Sequence, residues 1–462
     1  MPEKFDSIIV GAGQAGPSLA GRLTQSGRKA AMIERKLFGG TCVNTGCIPT
    51  KTLVASAYVA QKARTANEYG VIAKDVSIDM KAVMARKDKI SGQSRTGVEG
   101  WLRGMKNCTV YHEHARFESA HEIRVGDELI SADEIFLNVG GHAIVPDFPG
   151  VDTVPFLTNV SILQLETLPK HLIIVGGSYI GLEFAQIFRR FGSEITVVEK
   201  GPRLAFHEDE DVSATIKQFL EGEGIHFRLN AECIRIEKHG SDVAVGVSCD
   251  HDSAASIGSH ILLAVGRRPN TDDLGLEHAG VETDDHGYIK VDDQLRTNIP
   301  GIWAMGDCNG KGAFTHTSYN DFEIVAANLL DNDPRRVSDR ITAYALYTDP
   351  PLGRAGMTEK QVRDSGKNAL IGTRPMTKVG RAVEKGETAG FMKILVDAET
   401  KLILGASILG TSGDEAIHCI LDIMYARAPY TTLQRAVHIH PTVSELIPTV
   451  LGDLKPLSDA GS

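Results

Sequence analysis

Short runs of β-branched and other apolar residues, each ended by glycine, set the pattern of the chain. Ser7-Ile8-Ile9-Val10 leads into Gly11-Ala12-Gly13-Gln14-Ala15-Gly16, and Leu172-Ile173-Ile174-Val175 leads into Gly176-Gly177-Ser178-Tyr179-Ile180-Gly181. Such runs read as buried parallel strands, which lose the polar alternation of a half-exposed strand. The two segments lie 165 residues apart, and the register holds beyond the glycines: Ala20 matches Ala185, Gly27 matches Gly192 and Glu34 matches Glu199. One βαβ unit is therefore present twice. Further strands are expected over 133–139, leading into Gly140-Gly141, and over 261–266, leading into Arg267-Arg268-Pro269-Asn270. Pro, Gly and charge cluster at both places and mark hinges. From about Ile341 onward strands and amphipathic helices follow without glycine-rich turns, the pattern of a separate α+β domain.

In each βαβ unit the glycines allow a tight turn and the close approach of a diphosphate, and the following helix offers its N-terminal N–H groups. The acid that ends the second strand is placed to accept from ribose hydroxyls. Gly11, Gly13, Gly16 and Glu34 form the first candidate dinucleotide site; Gly176, Ser178, Gly181 and Glu199 form the second. Ser178 stands where the first unit has its middle glycine. That points to a looser hold, suited to a nicotinamide that exchanges rather than to a resident flavin. Glu199 favours NADH over NADPH, because a carboxylate repels a 2′-phosphate; Lys200 and Arg203 lie close enough to blunt the preference.

At 462 residues the chain exceeds what one core organises, so several domains are expected. Hydrophobic content of 42% with 23% charged residues excludes extensive disorder and fibrous repeats. The net charge of −10 makes nucleic acid a poor partner. No apolar run approaches the roughly 20 residues of a membrane span. Met1 to Ala20 could pass for a signal peptide, but the same residues complete the first βαβ unit, and a cytoplasmic location is expected. The seven cysteines are odd in number and mostly scattered, unlike a secreted disulfide framework.

Cys42 and Cys47, in Gly39-Gly40-Thr41-Cys42-Val43-Asn44-Thr45-Gly46-Cys47-Ile48-Pro49-Thr50-Lys51, carry the most specific chemistry. They bridge only if the segment bends, for which Gly46 supplies freedom. Pro49 suits a first helical turn, so Cys47 is expected at a helix N-terminus, where the macrodipole favours a thiolate. Lys51, four residues on, projects from the same helical face. A structural disulfide and a metal pair are the alternatives; a metal pair would need further ligands, and none is near in sequence, so no metal site is expected.

These motifs together resemble the flavoprotein disulfide reductase family, the class I pyridine nucleotide-disulfide oxidoreductases, which include dihydrolipoamide dehydrogenase, glutathione reductase and mercuric reductase. The resemblance also covers Gly301-Ile302-Trp303-Ala304-Met305-Gly306-Asp307, Tyr347-Thr348-Asp349-Pro350-Pro351 and His438-Ile439-His440-Pro441-Thr442-Val443-Ser444-Glu445. It implies that Cys47 faces FAD and Cys42 attacks substrate, that Lys51 and Glu183 pair beside the flavin, and that Asp307 binds its ribityl chain. His440, oriented by Glu445, would be the acid–base group serving the partner subunit. Thr41 and Gly266 complete the candidate cofactor contacts. His316 matches a flavin-adjacent position in altered surroundings, and His438 is given a structural role.

The fold expected is α/β, with two Rossmann-like dinucleotide-binding domains and a C-terminal α+β dimerisation domain. The expected division is FAD-binding over 1–148, NAD(P)-binding over 149–269, a central FAD-binding part over 270–337 and dimerisation over 338–462. The activity implied is FAD-dependent transfer of electrons from NAD(P)H, NADH favoured, to a small disulfide, or the reverse from a dithiol, in a homodimer with shared sites. A mercuric-reductase-like metal reductase is the alternative, against which count the lack of cysteine after Cys419 and the few residues before the first strand. A non-catalytic complex subunit is the alternative from another class.

Overall fold

The computed structural model describes residues 2–247 and 255–457. The first repeat is β1 (Glu3–Val10), α1 (Gly16–Gln25) and β2 (Ala30–Ile33). Two helices carry the cysteines, α2 (Gly40–Asn44) and α3 (Cys47–Arg64), and α4 (Met80–Gly104) returns the chain to the sheet. Strands β3 (Cys108–Tyr111), β4 (Ala115–Ser119), β5 (Glu122–Val125) and β6 (Glu128–Leu137) follow, then β7 (Gly141–Ala143). The sheet order is β3-β2-β1-β6-β5-β4, parallel from β3 to β6 and antiparallel through β5 and β4. β6 starts five residues before the apolar run at 133–139, because Glu128 to Ser131 pair with β5; it ends at Leu137, before the turn at Asn138.

The second repeat is β8 (His171–Val175), α5 (Tyr179–Phe191) and β9 (Glu194–Val198), with α6 (Glu210–Gly222) and β10 (Ile225–Arg228) behind it. An antiparallel flap of β11 (Arg235–His239), β12 (Asp242–Gly246) and β13 (Ser256–Gly258) precedes β14 (His260–Leu263). The parallel sheet runs β10-β9-β8-β14. β15 (Arg267–Pro269) pairs antiparallel with β7, so the two expected hinges zip together as one ribbon between the sheets. After α7 (Leu276–Ala279), β16 (Ile302–Ala304) returns to the first sheet beside β6, and α8 (Thr315–Ala326) follows.

The remaining chain forms a six-stranded antiparallel sheet. Its strands are β17 (Ala343–Leu346), β18 (Leu352–Gly356), β19 (Ala369–Pro375), β20 (Phe391–Asp397), β21 (Ile403–Leu409) and β22 (Lys455–Pro456), in the order β17-β18-β21-β20-β19-β22. Its helices are α9 (Glu359–Asp364), α10 (Gly380–Glu384), α11 (Gly413–Tyr425), α12 (Thr431–Gln434) and α13 (Ile447–Gly452). One face buries Met392, Ile394, Val396 and Ile408 with Ile417 and Ile420 of α11, the core that the α+β reading requires. Among the described residues no helix is long and apolar enough to cross a membrane.

A candidate active site between two dinucleotide cradles

The two repeats are alike down to single hydrogen bonds. Gly11 N–H donates to the Ile33 carbonyl and Gly176 N–H to that of Val198, each at 2.8 Å. Glu34 accepts from Ala12 N–H at 2.9 Å and Lys36 N–H at 2.8 Å; Glu199 accepts from Gly177 N–H at 2.6 Å and Gly201 N–H at 2.7 Å. Both acids thus stand at the strand ends, held by backbone donors beside the glycine turns. Gly11 and Gly176 have φ of +102° and +114°, and a Cβ on either would lie 2.3 Å from a carbonyl oxygen of the neighbouring strand. Only glycine fits there. Gly16 and Gly181 serve packing instead: a Cβ would lie 2.3 and 2.0 Å from the carbonyls of Gly11 and Gly176, and neither residue lines the cavity described below.

At the middle position the copies part. A Cβ at Gly13 would lie 2.8 Å from Asn138 Oδ1, which accepts from Gly16 N–H at 3.1 Å. In the second copy the carbonyl beside Gly176 belongs to Ala264, the counterpart of Asn138, and Ser178 is exposed. The exposed serine meets no counterpart of the Asn138 amide, which the glycine pattern alone did not reveal.

The cysteines lie between the cradles. Gly39 and Gly40 take φ of +91° and +61°, turning the chain so that α2 packs over Gly13; a Cβ on Gly40 would lie 2.8 Å from the Gly13 Cα. Cys47 opens α3, as its setting before Pro49 predicts. Gly46 acts by close approach rather than by unusual dihedral freedom. Its φ is −138°, and a Cβ there would lie 2.9 Å from the Thr41 carbonyl. Cys42, Cys47, Cys108, Cys308 and Cys419 are free thiols, whereas Cys233 is disulfide-bonded.

The two active sulfurs are electrostatically unlike. A hydrogen bond from Cys42, one from Thr315 and the charge of Lys51 outweigh burial and lower Cys47 to about 6. Giving its hydrogen to Cys47, together with burial and the charge of that sulfur, pushes Cys42 far up. Thr315 Oγ1 stands 3.0 Å from Cys47 Sγ. Lys51 Nζ contacts Glu183 at 2.7 and 3.0 Å and lies 4.6 Å from the centre of the Tyr347 ring, while Tyr347 N–H donates to Glu183 at 3.0 Å. Glu183 is buried and receives that pair on α5, so a residue of the second repeat reaches a helix of the first.

One cavity of about 2040 Å³ joins these parts. It is lined by Gly11, Gly13, Glu34, Thr41, Cys42, Cys47, Lys51, Gly176, Ser178, Glu183, Glu199, Gly266 and Asp307. A pocket for one drug-sized ligand is roughly 300–1,000 Å³, so two extended dinucleotides fit where one small ligand would be loose. Burial raises Asp307, and the Arg267 guanidinium beside it opposes the rise. Arg267 bridges the Gly141 carbonyl and Thr41, whose hydroxyl it meets at 3.3 Å. Gly266 takes φ of +133° in the turn after β14. The cradles, the ribose-facing acids and the buried aspartate suit FAD on the first repeat and a nicotinamide dinucleotide on the second.

Comparison with known proteins agrees. Residues 5–321 match the pyridine nucleotide-disulphide oxidoreductase family and residues 342–451 its dimerisation domain. The chain belongs to this family. It is 36% identical over 451 residues to the probable pyridine nucleotide-disulfide oxidoreductase RclA of Escherichia coli strain K12, covering 96% of this chain and 97% of that protein. It is 31% identical to dihydrolipoyl dehydrogenase of Bacillus subtilis over 96% of this chain and 95% of that one, and 30% identical to mercuric reductase of Streptomyces lividans over 96% and 94%. The solved structure of the HOCl-induced flavoprotein disulfide reductase RclA from Escherichia coli superposes with a TM-score of 0.89 at 35% identity, covering 97% of this chain and 99% of that one. The chain is thus an FAD-dependent pyridine nucleotide-disulfide oxidoreductase, as the motifs imply.

In this family member His440 and Glu445 lie outside their own chain's cavity. His440 Nδ1 is 2.8 Å from Glu445 Oε2, and its side chain is 79% exposed. Val437 at 100% and Ile439 at 80% exposure flank it. His438 Nδ1 lies 3.3 Å from the Ala436 carbonyl. His316 Nε2–H donates to the Ala343 carbonyl at 2.7 Å and its ring stacks on Phe314, so the dimerisation domain holds it. Sequence reasoning passed over Thr315, Asn138 and Asp321. Asp321 fixes the Asp307 turn by accepting from Gly306 N–H at 2.7 Å and Asn309 at 2.9 Å. The available signal was position: a polar residue ending an apolar strand for Asn138, and a hydroxyl eight residues past Asp307 for Thr315.

Proposed function

We propose that a homodimer of this chain carries electrons from NADH, through FAD, to the Cys42–Cys47 pair and on to a small disulfide, or in reverse from a dithiol. The unequal sulfurs carry the reading: Cys47 is held as a thiolate at the end nearer Lys51 and Glu183, and Cys42 as a thiol. When bound, FAD supplies two-electron transfer between nicotinamide and sulfur. Gly11, Gly13, Glu34, Thr41 and Asp307 would hold it; Gly176, Ser178, Glu199 and Gly266 would hold the nicotinamide dinucleotide. Lys51, fixed by Glu183, keeps positive charge beside Cys47 and favours its anion.

Cys42 needs a base before it attacks a substrate disulfide, since its environment holds the proton on. A histidine titrates near neutral pH, and His440 of the partner subunit would take that proton and return it to the departing thiolate. The exposed His440, held by a largely buried Glu445 and flanked by exposed Val437 and Ile439, favours this shared-site dimer. NADH is favoured because Glu199 is fixed toward the ribose, while Arg203 is drawn to Glu210 at 3.1 Å and to the Phe206 carbonyl at 3.1 Å. The need for reduced nicotinamide favours a cytoplasmic location.

Metal-ion reduction is a second reading. RclA has also been solved as a Cu(II) complex, and a thiolate pair is a soft ligand set. Among the described residues no group of three or more His, Cys, Asp or Glu side chains is arranged to hold a metal ion, so such an ion would be met by the sulfurs alone.

Steady-state assays with NADH and NADPH against lipoamide, glutathione disulfide, Cu(II) and Hg(II) separate the readings. Turnover of a disulfide that His440→Gln lowers by about 100-fold or more supports the first. Metal turnover without disulfide turnover supports the second. Mixing inactive Cys42→Ser and His440→Gln subunits should restore activity in heterodimers with one intact site; no rescue after verified subunit exchange contradicts the shared site.

A further inference from the structure

Thr315 is the first residue of α8, and its hydroxyl is 3.0 Å from Cys47 Sγ. The same hydroxyl also reaches Cys42 and opposes the rise of that thiol, so Thr315 serves both sulfurs. The neighbouring hydroxyl, Thr317, closes the helix start instead, accepting from Phe314 N–H at 3.1 Å and donating to the Phe314 carbonyl at 2.8 Å. Thr315 is thus left to the sulfur pair, with Cys47 Sγ its measured contact. It is held there firmly: Phe314 stacks on Tyr344 at 5.5 Å between ring centres, and His316 stacks on Phe314 at 5.4 Å. The Lys51 cation near the pair is engaged elsewhere, since both oxygens of Glu183 lie within 3.0 Å of its Nζ, and Arg267 is held by Gly141 and Thr41. Lys51 acts on the sulfurs through its field, whereas Cys42 and Thr315 act through donated hydrogens.

We propose that Thr315 is a catalytic residue, the donor that keeps Cys47 a thiolate during the step in which Cys42 cannot. This rests on the reading of Cys47 as the flavin-facing sulfur and Cys42 as the attacking one. In the reduced enzyme Cys47 accepts two hydrogens, from Cys42 S–H and Thr315 O–H. The Cys42 thiol loses its proton to the base and its thiolate attacks a disulfide R–S–S–R. A Cys42–S–S–R bond forms, one sulfur leaves with the electron pair, and that thiolate takes the proton to become R–SH. Cys42 then has no hydrogen to give. Cys47 has to remain an anion to attack Cys42 Sγ, closing the Cys42–Cys47 disulfide and expelling the second thiolate. The dithiol has then lost two electrons and the substrate has gained them. At that moment Thr315 is the side-chain donor left to Cys47.

The test is a pH titration of the long-wavelength thiolate-to-flavin absorbance in two-electron-reduced holoenzyme. Thr315→Val, which keeps the shape and removes the hydroxyl, should raise the midpoint by about one unit, a tenfold change in ionisation. Thr315→Ser should restore the wild-type midpoint. Thr315→Val should also accumulate the Cys42–substrate mixed disulfide, seen by mass spectrometry after acid quench. Alkylation of Cys47 by iodoacetamide against pH reads the same ionisation without flavin, and serves with Thr315→Ala if Thr315→Val loses its cofactor. A wild-type band with unchanged midpoints in the variants overturns the role of Thr315 and leaves the assignment of the cysteines standing. A band that depends on Cys42 rather than Cys47 overturns the assignment itself.

Discussion

The cradle at Gly13 and the cradle at Ser178 share their backbone hydrogen bonds and their strand-end acids, yet they are finished differently. Over the first, α2 folds down until Gly40 touches Gly13, and Asn138 fills the floor. Under the second, the counterpart of Asn138 is Ala264, and Ser178 is exposed. The glycine motif thus makes both sites able to take a dinucleotide, while the residues around the middle position decide how tightly each closes. A closed cradle suits a cofactor that stays, and an open one suits a nucleotide that leaves after each turnover.

The strongest way to break this comparison is to give the first cradle the residue of the second. Gly13→Ser puts a Cβ 2.8 Å from Asn138 Oδ1, closer than carbon and oxygen tolerate, and the purified protein should lack flavin absorbance and turnover. Adding Asn138→Ala should recover part of the flavin, because it removes the side-chain oxygen that the new Cβ would meet. Full flavin content in Gly13→Ser would show that the floor does not distinguish the sites.

Next in size are the paired acids. Each accepts two backbone N–H groups, and hydrogen bonds to charged groups contribute about 1.5–3 kcal/mol each, net of the bonds to water they replace. Glu34→Ala should weaken flavin retention by about tenfold or more in equilibrium dialysis. Glu199→Ala should leave flavin in place, raise KM for NADH and narrow the NADH-to-NADPH ratio of kcat/KM by about five- to tenfold. A wild-type preference for NADPH would show that Lys200 outweighs the carboxylate. Ser178→Gly should do little, changing KM for NADH within about threefold, a difference below 1 kcal/mol.

The repeat, the α/β class and the C-terminal α+β domain were legible because each rests on local pattern: apolar runs, glycines with positive φ and an acid at a fixed spacing. The helix start at Cys47 was legible from Pro49 for the same reason. The pairing of Lys51 with Glu183 came from resemblance, since it joins α3 to α5 across 132 residues. Asn138, Thr315 and Asp321 were missed on the same physical ground. Their partners, Gly16, Cys47 and the Asp307 turn, are set by tertiary packing, and a lone Asn, Thr or Asp carries no period. The strand over 133–139 was found short at its start because antiparallel pairing with β5 needs no apolar run.

A smaller effect is the pH response of the cysteine pair. Cys47 is lowered to about 6 from an ordinary thiol value, so its anion is present above that pH and is lost as pH falls through it. Absorbance from thiolate beside flavin should therefore be full at pH 8 and fade towards pH 5. The FAD spectrum itself should hold, since the cradle contacts do not depend on that proton.

The most direct test of the central account, that electrons pass from the open cradle through the closed one to Cys47, is the visible spectrum of two single variants. Cys42→Ser should show the long-wavelength thiolate-to-flavin band before any reductant is added, and wild type should develop it on anaerobic addition of about one equivalent of NADH. Cys47→Ser should show it under neither condition. A band in Cys47→Ser, or none in Cys42→Ser with flavin fully bound, would contradict the account.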